Sequence, residues 1–219
     1  MEPSAPRVLY TVGHSTRTIA ELVELLEAYA VTRLVDIRSF PRSRTNPQFN
    51  LDLLPATLEA AGLAYVHLAT LGGRRGNSAT IEVSVNAGWQ RQPFHNYADY
   101  AETAPFQAGL GELIALAARE TCAIMCAEAV WWRCHRRIVT DYVLARGLPV
   151  VHIATRARSA PAIMTPFASV SRSGRVTYPA PATPTNGLLT PPLTPPLTPP
   201  LGASPKRRAP ARRAPRSPA

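Results

Sequence analysis

The stretch that decides the fold is Cys122-Ala-Ile-Met-Cys-Ala-Glu-Ala-Val-Trp-Trp-Arg-Cys-His-Arg-Arg137. Its apolar start, residues 122–125, predicts a short buried strand, and the apolar spacing after Cys134 predicts a helix. The loop between them carries Cys126 and Glu128. A helix N-terminus offers free backbone N–H groups and the positive end of the helix dipole. The stretch therefore predicts a place where an anion or a thiolate is stabilised.

Strands and helices alternate along the first 154 residues. The apolar patterns predict strands at 8–12, 34–38, 64–68, 122–125 and 150–153. They predict helices that begin after a Thr16 or Thr18 cap, and at 51–61, 97–102, 105–119 and 134–144. Residues 77–96 have no clean period and are predicted to form a long loop or a lid. Regular alternation predicts a single α/β domain with a parallel sheet in three layers, Rossmann-like or flavodoxin-like.

The chain changes character after this domain, which we predict to span residues 7–154 after a short leader at 1–6. All 14 acidic residues lie before residue 155, whereas 15 of the 23 prolines lie after 154. Residues 190–201 are three copies of Thr-Pro-Pro-Leu, and residues 206–216 hold six cations. Residues 155–219 are therefore predicted to be a disordered, Pro-rich basic tail. Such a tail either binds nucleic acid weakly and without sequence preference or has no partner.

The cysteines and the hydropathy pattern suggest where the protein works. Three clustered cysteines do not resemble the disulfide framework of a secreted protein. The first residues lack the pattern of a signal peptide, and no apolar run is long enough to span a membrane. We expect a cytoplasmic protein without a membrane partner.

Several reactive side chains follow predicted strands, and ligand sites in parallel sheets gather at the carboxyl ends of strands. We predict four catalytic residues there. Cys126 is the candidate thiol, Glu128 and His14 are candidate acid–base groups, and Asp36 is an orienting carboxylate. For each of them a structural role, as a cap, ion pair or buried side chain, stays as the alternative.

Five motifs along the chain resemble those of one family, the domain of unknown function 488. They are residues 11–15 (Thr-Val-Gly-His-Ser), 35–44 (Val-Asp-Ile-Arg-Ser-Phe-Pro-Arg-Ser-Arg), 71–74, 97–100, and 125–128 with 133–136. The resemblance covers about residues 8–154 and implies a cytosolic α/β protein without implying a reaction. Val130 and Trp131 stand where the family usually has Asp-Pro.

A second group of predicted site residues is assigned to substrate binding. Its members supply hydroxyls, cations, close backbone approach or a thiol near the same strand ends. They are Ser15, Arg38, Arg44, Gly72, Gly73, Tyr100, Cys134, His135 and Arg136. The expected ligand is small and anionic or nucleotide-like, because arginine recognises phosphate and carboxylate groups.

Three functions stay open at this point. The leading hypothesis is a thiol-containing enzyme that acts on the small anionic or nucleotide-like ligand. The alternatives are a nucleic-acid-associated binding module and a metal-stabilised domain without catalysis. Cys126, Cys134 and His135 supply at most three ligands, whereas a structural zinc site usually has four, so no metal and no cofactor are assigned.

Overall fold

One sheet of six strands organises the computed structural model of this protein, which describes residues 7–181. The strands are β1 (Leu9–Gly13), β2 (Arg33–Asp36), β3 (Ala64–His67), β4 (Cys122–Cys126), β5 (Val150–Thr155) and β6 (Arg158–Pro161). Their order is β3-β2-β4-β1-β5-β6, and all but β6 run parallel. The predicted α/β fold with a mostly parallel sheet is confirmed.

Five helices cover the sheet. They are α1 (Ile19–Glu27), α2 (Leu54–Ala60), α3 (Gln92–Ala101), α4 (Ala104–Ala117) and α5 (Arg136–Leu144). Single turns of 3-10 helix lie at Pro47–Phe49, Ala69–Leu71, Val83–Asn86 and Trp131–Arg133. Two short strands, β7 (Ser169–Val170) and β8 (Val176–Thr177), form a separate antiparallel pair. Among residues 7–181, no helix is both long enough and apolar enough to cross a membrane.

Strand β4 shows why the domain has three layers. Successive side chains of a strand point to opposite faces. Cys122 and Ile124 pack into a core with residues of α3, α4 and α5, whereas Ala123 and Met125 pack into a second core with α1 and α2. A strand that is buried on both faces reads as an uninterrupted apolar run, which is what residues 122–125 are.

The parallel register aligns the carboxyl ends of the strands, and the site residues lie at or directly after these ends. Gly13 of β1 lies beside Cys126 of β4, and Asp36 of β2 lies beside Met125. The ladder continues past the strands, since the backbone N–H of His14 donates to the Cys126 carbonyl at 2.9 Å. The segments that leave β1, β2 and β4 therefore begin at one edge of the sheet.

Two helix boundaries differ from the predicted ones. The predicted loop at 77–96 contains a 3-10 turn and the start of α3, which begins at Gln92 and not at residue 97. Pro93 lies in the first turn of α3, where proline is tolerated because that N–H has no helical partner. Pro55 has the same position in α2, which begins at Leu54, so within the predicted 51–61 the proline marks the start of the regular helix.

The predicted tail boundary at 154/155 is wrong for residues 155–181. Strand β6 pairs with β5, and both Val176 and Tyr178 are buried. Asp141 on α5 holds this segment, because its carboxylate accepts bonds from the backbone N–H of Thr165 at 2.8 Å and the Tyr178 hydroxyl at 2.9 Å. The remainder of the predicted tail, with its repeats and cations, lies outside the described residues, as does the leader at 1–6.

His152 on β5 gives a prediction for the pH dependence of stability. Burial, followed by the charge of Arg136, lowers its pKa from 6.5 to about 4. The unfolded chain therefore takes up a proton below about pH 6.5 that the folded chain does not, so the free energy of unfolding falls as the pH drops towards 4. Between about pH 7.5 and about pH 4.5, this effect lowers the free energy of unfolding by up to about 2.5 kcal/mol. His152→Gln should remove this part of the pH dependence, which urea unfolding at the two pH values measures.

Thr11→Val is the matched control. Thr11 Oγ1 lies 2.8 Å from His152 Nδ1, so this variant loses the same hydrogen bond and keeps the titrating group. It should lower stability at both pH values and preserve the pH dependence. An unchanged pH dependence in His152→Gln would contradict the assignment.

Candidate active site

A cavity of about 690 Å³ opens at the carboxyl ends of β1, β2 and β4. This is the edge at which parallel sheets bind their ligands. Most of the lining comes from the segments that follow these strands, and the rest comes from Gly73 and Arg74 after β3, from α3 and from the residues just before α5. The lining residues include His14, Ser15, Arg38, Phe40, Arg42, Gly73, Arg74, Phe94, Tyr97, Cys126, Glu128, Arg133, Cys134 and His135.

A buried ion pair lies at the floor of this cavity. Asp36 is fully buried and Arg38 is 6% exposed. The Arg38 guanidinium donates to both carboxylate oxygens, with Nε 2.9 Å from Oδ1, and the Tyr65 hydroxyl donates to Oδ2 at 2.8 Å. Arg38 also donates to the carbonyl of Phe49 at 2.7 Å. These bonds occupy most of the guanidinium and leave its NH1 group to face His14 and the cavity.

His14 is fixed by its two ring nitrogens. Nδ1 lies 2.9 Å from the Ser15 carbonyl and must carry the proton, so Nε2 accepts from Arg38 NH1 at 3.3 Å. The ring stacks on Phe49 at a centroid distance of 4.0 Å. Burial lowers the pKa of His14 to about 4, so the imidazole is neutral near pH 7 with its lone pair directed at Arg38.

The loop after β4 packs tightly on the end of β1. A Cβ atom at Gly13 would lie 2.0 Å from the carbonyl oxygen of Glu128, so a side chain larger than hydrogen cannot fit there. Ser15 has a φ of 50°, in the left-handed region that non-glycine residues seldom adopt. Its backbone N–H donates to Ala127 at 3.0 Å, which holds it in this conformation.

Two thiols and an imidazole meet beside the ion pair. Cys126 ends β4, while Cys134 and His135 directly precede α5. The two sulfur atoms lie 3.8 Å and 3.6 Å from His135 Nδ1. His135 Nε2 donates to the Ile37 carbonyl at 2.9 Å, so Nδ1 is the ring nitrogen that faces both sulfurs.

Arg136 connects this group to the loop. It is buried, its Nε donates to Cys134 Sγ at 3.4 Å, and its NH2 donates to the carbonyl of Glu128. One arginine therefore places a positive charge beside a sulfur and also anchors the segment between β4 and α5.

The two thiols differ in acidity. The hydrogen bond to Cys134, followed by burial, raises the pKa of Cys126. Burial also acts to raise the pKa of Cys134, but the hydrogen bond from Cys126 and the neighbouring His135 and Arg136 lower it below its ordinary value. Of these two thiols, Cys134 is therefore the more acidic. At the other end of β4, burial raises the pKa of Cys122 to about 11.

Not all predicted site residues reach the cavity. His14, Ser15, Arg38, Gly73, Cys126, Glu128, Cys134 and His135 line it. Asp36 and Arg136 lie behind Arg38 and Cys134, to which they bond. Gly72, Arg44 and Tyr100 are not part of its lining. Gly72 packs against Ser39, and the Tyr100 ring lies under the Arg75 guanidinium at 3.6 Å.

Tyr97 is a site residue that the sequence analysis did not assign. Its ring meets the His135 ring edge to face at 5.1 Å, and its hydroxyl donates to the Leu71 carbonyl at 2.6 Å. It therefore packs against the imidazole and restricts its rotation. Because α3 begins at Gln92, Tyr97 lies one turn after Pro93, and both residues line the cavity. A correct prediction of this helix start would have placed Tyr97 at the site.

The cavity carries an excess of positive charge. Four arginines line it, Arg38, Arg42, Arg74 and Arg133, against the single carboxylate of Glu128. Arg38 is neutralised by Asp36. Within residues 7–181, the guanidinium groups of the other three arginines form no ion pair. They can attract an anion, and they stand at the rim where a ligand would enter.

The comparisons with known proteins identify one family. A family model described as Domain of unknown function DUF488 matches residues 18–143. That range includes four of the five motifs quoted above, from residues 35–44 to residues 125–128 with 133–136. No curated protein and no solved structure matches the chain.

The buried ion pair generates a stability prediction. Asp36→Asn leaves the buried Arg38 charge without its counterion, which should lower the free energy of unfolding by about 3–5 kcal/mol. Glu120→Gln is the control, because Glu120 pairs at 2.7 Å with Arg33, at the amino end of the same strand and partly open to solvent. This control should cost less than about 1 kcal/mol. Urea unfolding near neutral pH measures both, and equal losses would contradict the buried role of Asp36.

Proposed function

We propose that this chain, which belongs to the family Domain of unknown function DUF488, is an enzyme that uses a cysteine thiolate on a small anionic substrate. The observation that carries the proposal is the position of Cys134. Its sulfur lies between His135 Nδ1 and Arg136 Nε, and it lines a cavity whose rim bears three arginines. The proposed location is the cytoplasm, where thiols stay reduced.

Cys134 is the proposed nucleophile, in place of Cys126. Cys134 receives the Arg136 hydrogen bond, and it directly precedes α5, whose N-terminus favours negative charge. In the reaction, the sulfur electron pair forms a bond to an electrophilic atom of the substrate. The leaving group departs with the electron pair of the bond that breaks. Cys126 Sγ and Cys134 Sγ both lie beside His135 Nδ1, so Cys126 is positioned to act on the resulting adduct.

The other predicted residues take supporting roles in this proposal. Asp36 orients Arg38, and His14 accepts a hydrogen bond from the NH1 group of the same guanidinium. Because the His14 lone pair already accepts from Arg38, His14 serves better as a positioning residue than as a general base. Glu128 is exposed at the rim and is the available acid–base group of the lining.

The anionic character of the substrate follows from the charge of the rim. Arg42, Arg74 and Arg133 can each donate paired hydrogen bonds to phosphate, sulfate or carboxylate oxygens. Phe40 lines the same rim and is 70% exposed. An aromatic face of this kind can stack on a flat ring, which favours a nucleotide-like member of this substrate class.

Alkylation by two small reagents tests the proposal without knowledge of the substrate. Iodoacetate is an anion and iodoacetamide is its neutral analogue, and both lose iodide to an attacking thiolate. Reduced, chelator-treated protein should react first at Cys134, and its preference for iodoacetate should exceed that of free cysteine. Mass spectrometry should find Cys122, buried at the other end of β4, unmodified in the folded protein.

The arginine variants test the origin of that preference. Arg74→Gln and Arg133→Gln should each reduce the iodoacetate-to-iodoacetamide rate ratio about five-fold, which corresponds to about 1 kcal/mol of charge attraction. Arg156→Gln is the control, because Arg156 is exposed and pairs with Glu24 away from the cavity. A ratio equal to that of free cysteine, or one that responds equally to the control, would rule the proposal out.

A further inference from the structure

We propose that Cys126, Cys134 and His135 form a binding site for a soft divalent metal ion, best matched by Zn²⁺, with a fourth coordination position open to the cavity. The sequence offers three ligands, too few for a structural zinc site. Three protein ligands and one open position are, however, the pattern of zinc sites that act on a substrate. The inference goes beyond the proposed thiolate chemistry and concerns the same cavity.

The two sulfur–nitrogen distances match a tetrahedral ion. Zn–S bonds of about 2.3 Å and Zn–N bonds of about 2.0–2.1 Å at tetrahedral angles set sulfur and nitrogen about 3.6 Å apart. The Cys134 and Cys126 sulfurs lie 3.6 Å and 3.8 Å from His135 Nδ1. All three atoms lie within 4.8 Å of one another. An ion could therefore bind with little movement of the side chains.

The imidazole is oriented as a metal ligand requires. A metal-bound histidine almost always donates its second ring N–H to a carbonyl or carboxylate, which fixes the tautomer. His135 Nε2 donates to the Ile37 carbonyl at 2.9 Å, so Nδ1 is the nitrogen that points at the two sulfurs and would bind the ion. Tyr97 packs against the ring and restricts its rotation.

Gly73 keeps the approach to Nδ1 open. A Cβ atom at this position would lie 2.4 Å from His135 Nδ1, so any side chain at residue 73 would occupy the space beside the ligand atom. Gly73 also lines the cavity together with all three ligands. The fourth coordination position therefore faces the cavity, where a water molecule or an oxygen of the anionic substrate can take it.

The donor atoms select the kind of ion. Two thiolates and a neutral imidazole are soft or intermediate ligands, which suit Zn²⁺ and not Mg²⁺ or Ca²⁺. Their two negative charges balance a divalent ion, and Arg136 holds one of the sulfurs by its bond to Cys134. Within residues 7–181, this is the one group of three such side chains that could hold an ion, and it contains no carboxylate.

Cobalt titration of the full chain tests the site. Reduced protein freed of metal with a chelator should bind one Co²⁺ per chain, with thiolate-to-cobalt charge transfer in the near ultraviolet and the visible bands of tetrahedral cobalt. Zn²⁺ should displace the cobalt and abolish these bands. Cys126→Ser, Cys134→Ser and His135→Gln should each weaken binding at least ten-fold, whereas Cys122→Ser should bind like the native chain.

Gly73→Ala tests the site without removing a ligand. It retains all three ligands and crowds His135 Nδ1, so it should weaken cobalt binding about ten-fold, within the range found when the surroundings of a metal ligand are altered. Circular dichroism shows whether each variant keeps its helices. Absence of the charge-transfer band in the native chain, or full affinity in a folded Cys134→Ser variant, overturns the inference.

The outcomes separate this inference from the proposed function. If the native chain binds no cobalt but prefers iodoacetate, the metal site fails and the thiolate proposal stands. If it binds cobalt through the three ligands and shows no anion preference, the metal site stands and the anionic substrate fails.

Discussion

The buried ion pair between Asp36 and Arg38 is the interaction on which the site depends. A buried charge is tolerated only when a counterion and hydrogen bonds satisfy it, and Arg38 obtains these from three separate segments. Asp36 ends β2, His14 follows β1, and the Phe49 carbonyl belongs to the connection that leads to α2. The pair therefore fixes the relative positions of these segments at the floor of the cavity.

The thiols are positioned by the backbone next to this pair. The segment after β2 supplies the Ile37 carbonyl that orients His135, and the loop after β4 is held by Arg136 through the Glu128 carbonyl. A thiolate nucleophile and a metal ligand need the same preparation, since both require a deprotonated sulfur near positive charge with a supported partner. The same geometry can thus serve either chemistry, and the entry of an ion decides between them.

Much of the fold was predictable because burial on both sides leaves a plain pattern. The run at 122–125 is apolar throughout since β4 is covered by helices on both faces. Residues 155–181 were mistaken for tail because they lack that pattern. Besides the pairing of β6 with β5, they are held by side-chain contacts with residues distant in the chain, such as Tyr178 with Asp141, and such contacts leave no periodic signal. The start of α3 was missed because Pro93 resembles a break when the helix boundary is unknown.

The family, the alternation of strands and helices, and the edge of the sheet at which reactive residues gather could all be predicted from the sequence. Those properties follow from local periodicity and from the rule that parallel strands present their carboxyl ends together. Only the tertiary structure decided which nitrogen of His14 and of His135 carries a proton, and which of two thiols is the more acidic. Each of these depends on a hydrogen bond or charge contributed by another segment, such as Arg38 for His14 or the Ile37 carbonyl for His135, and spacing along the chain does not encode such distances.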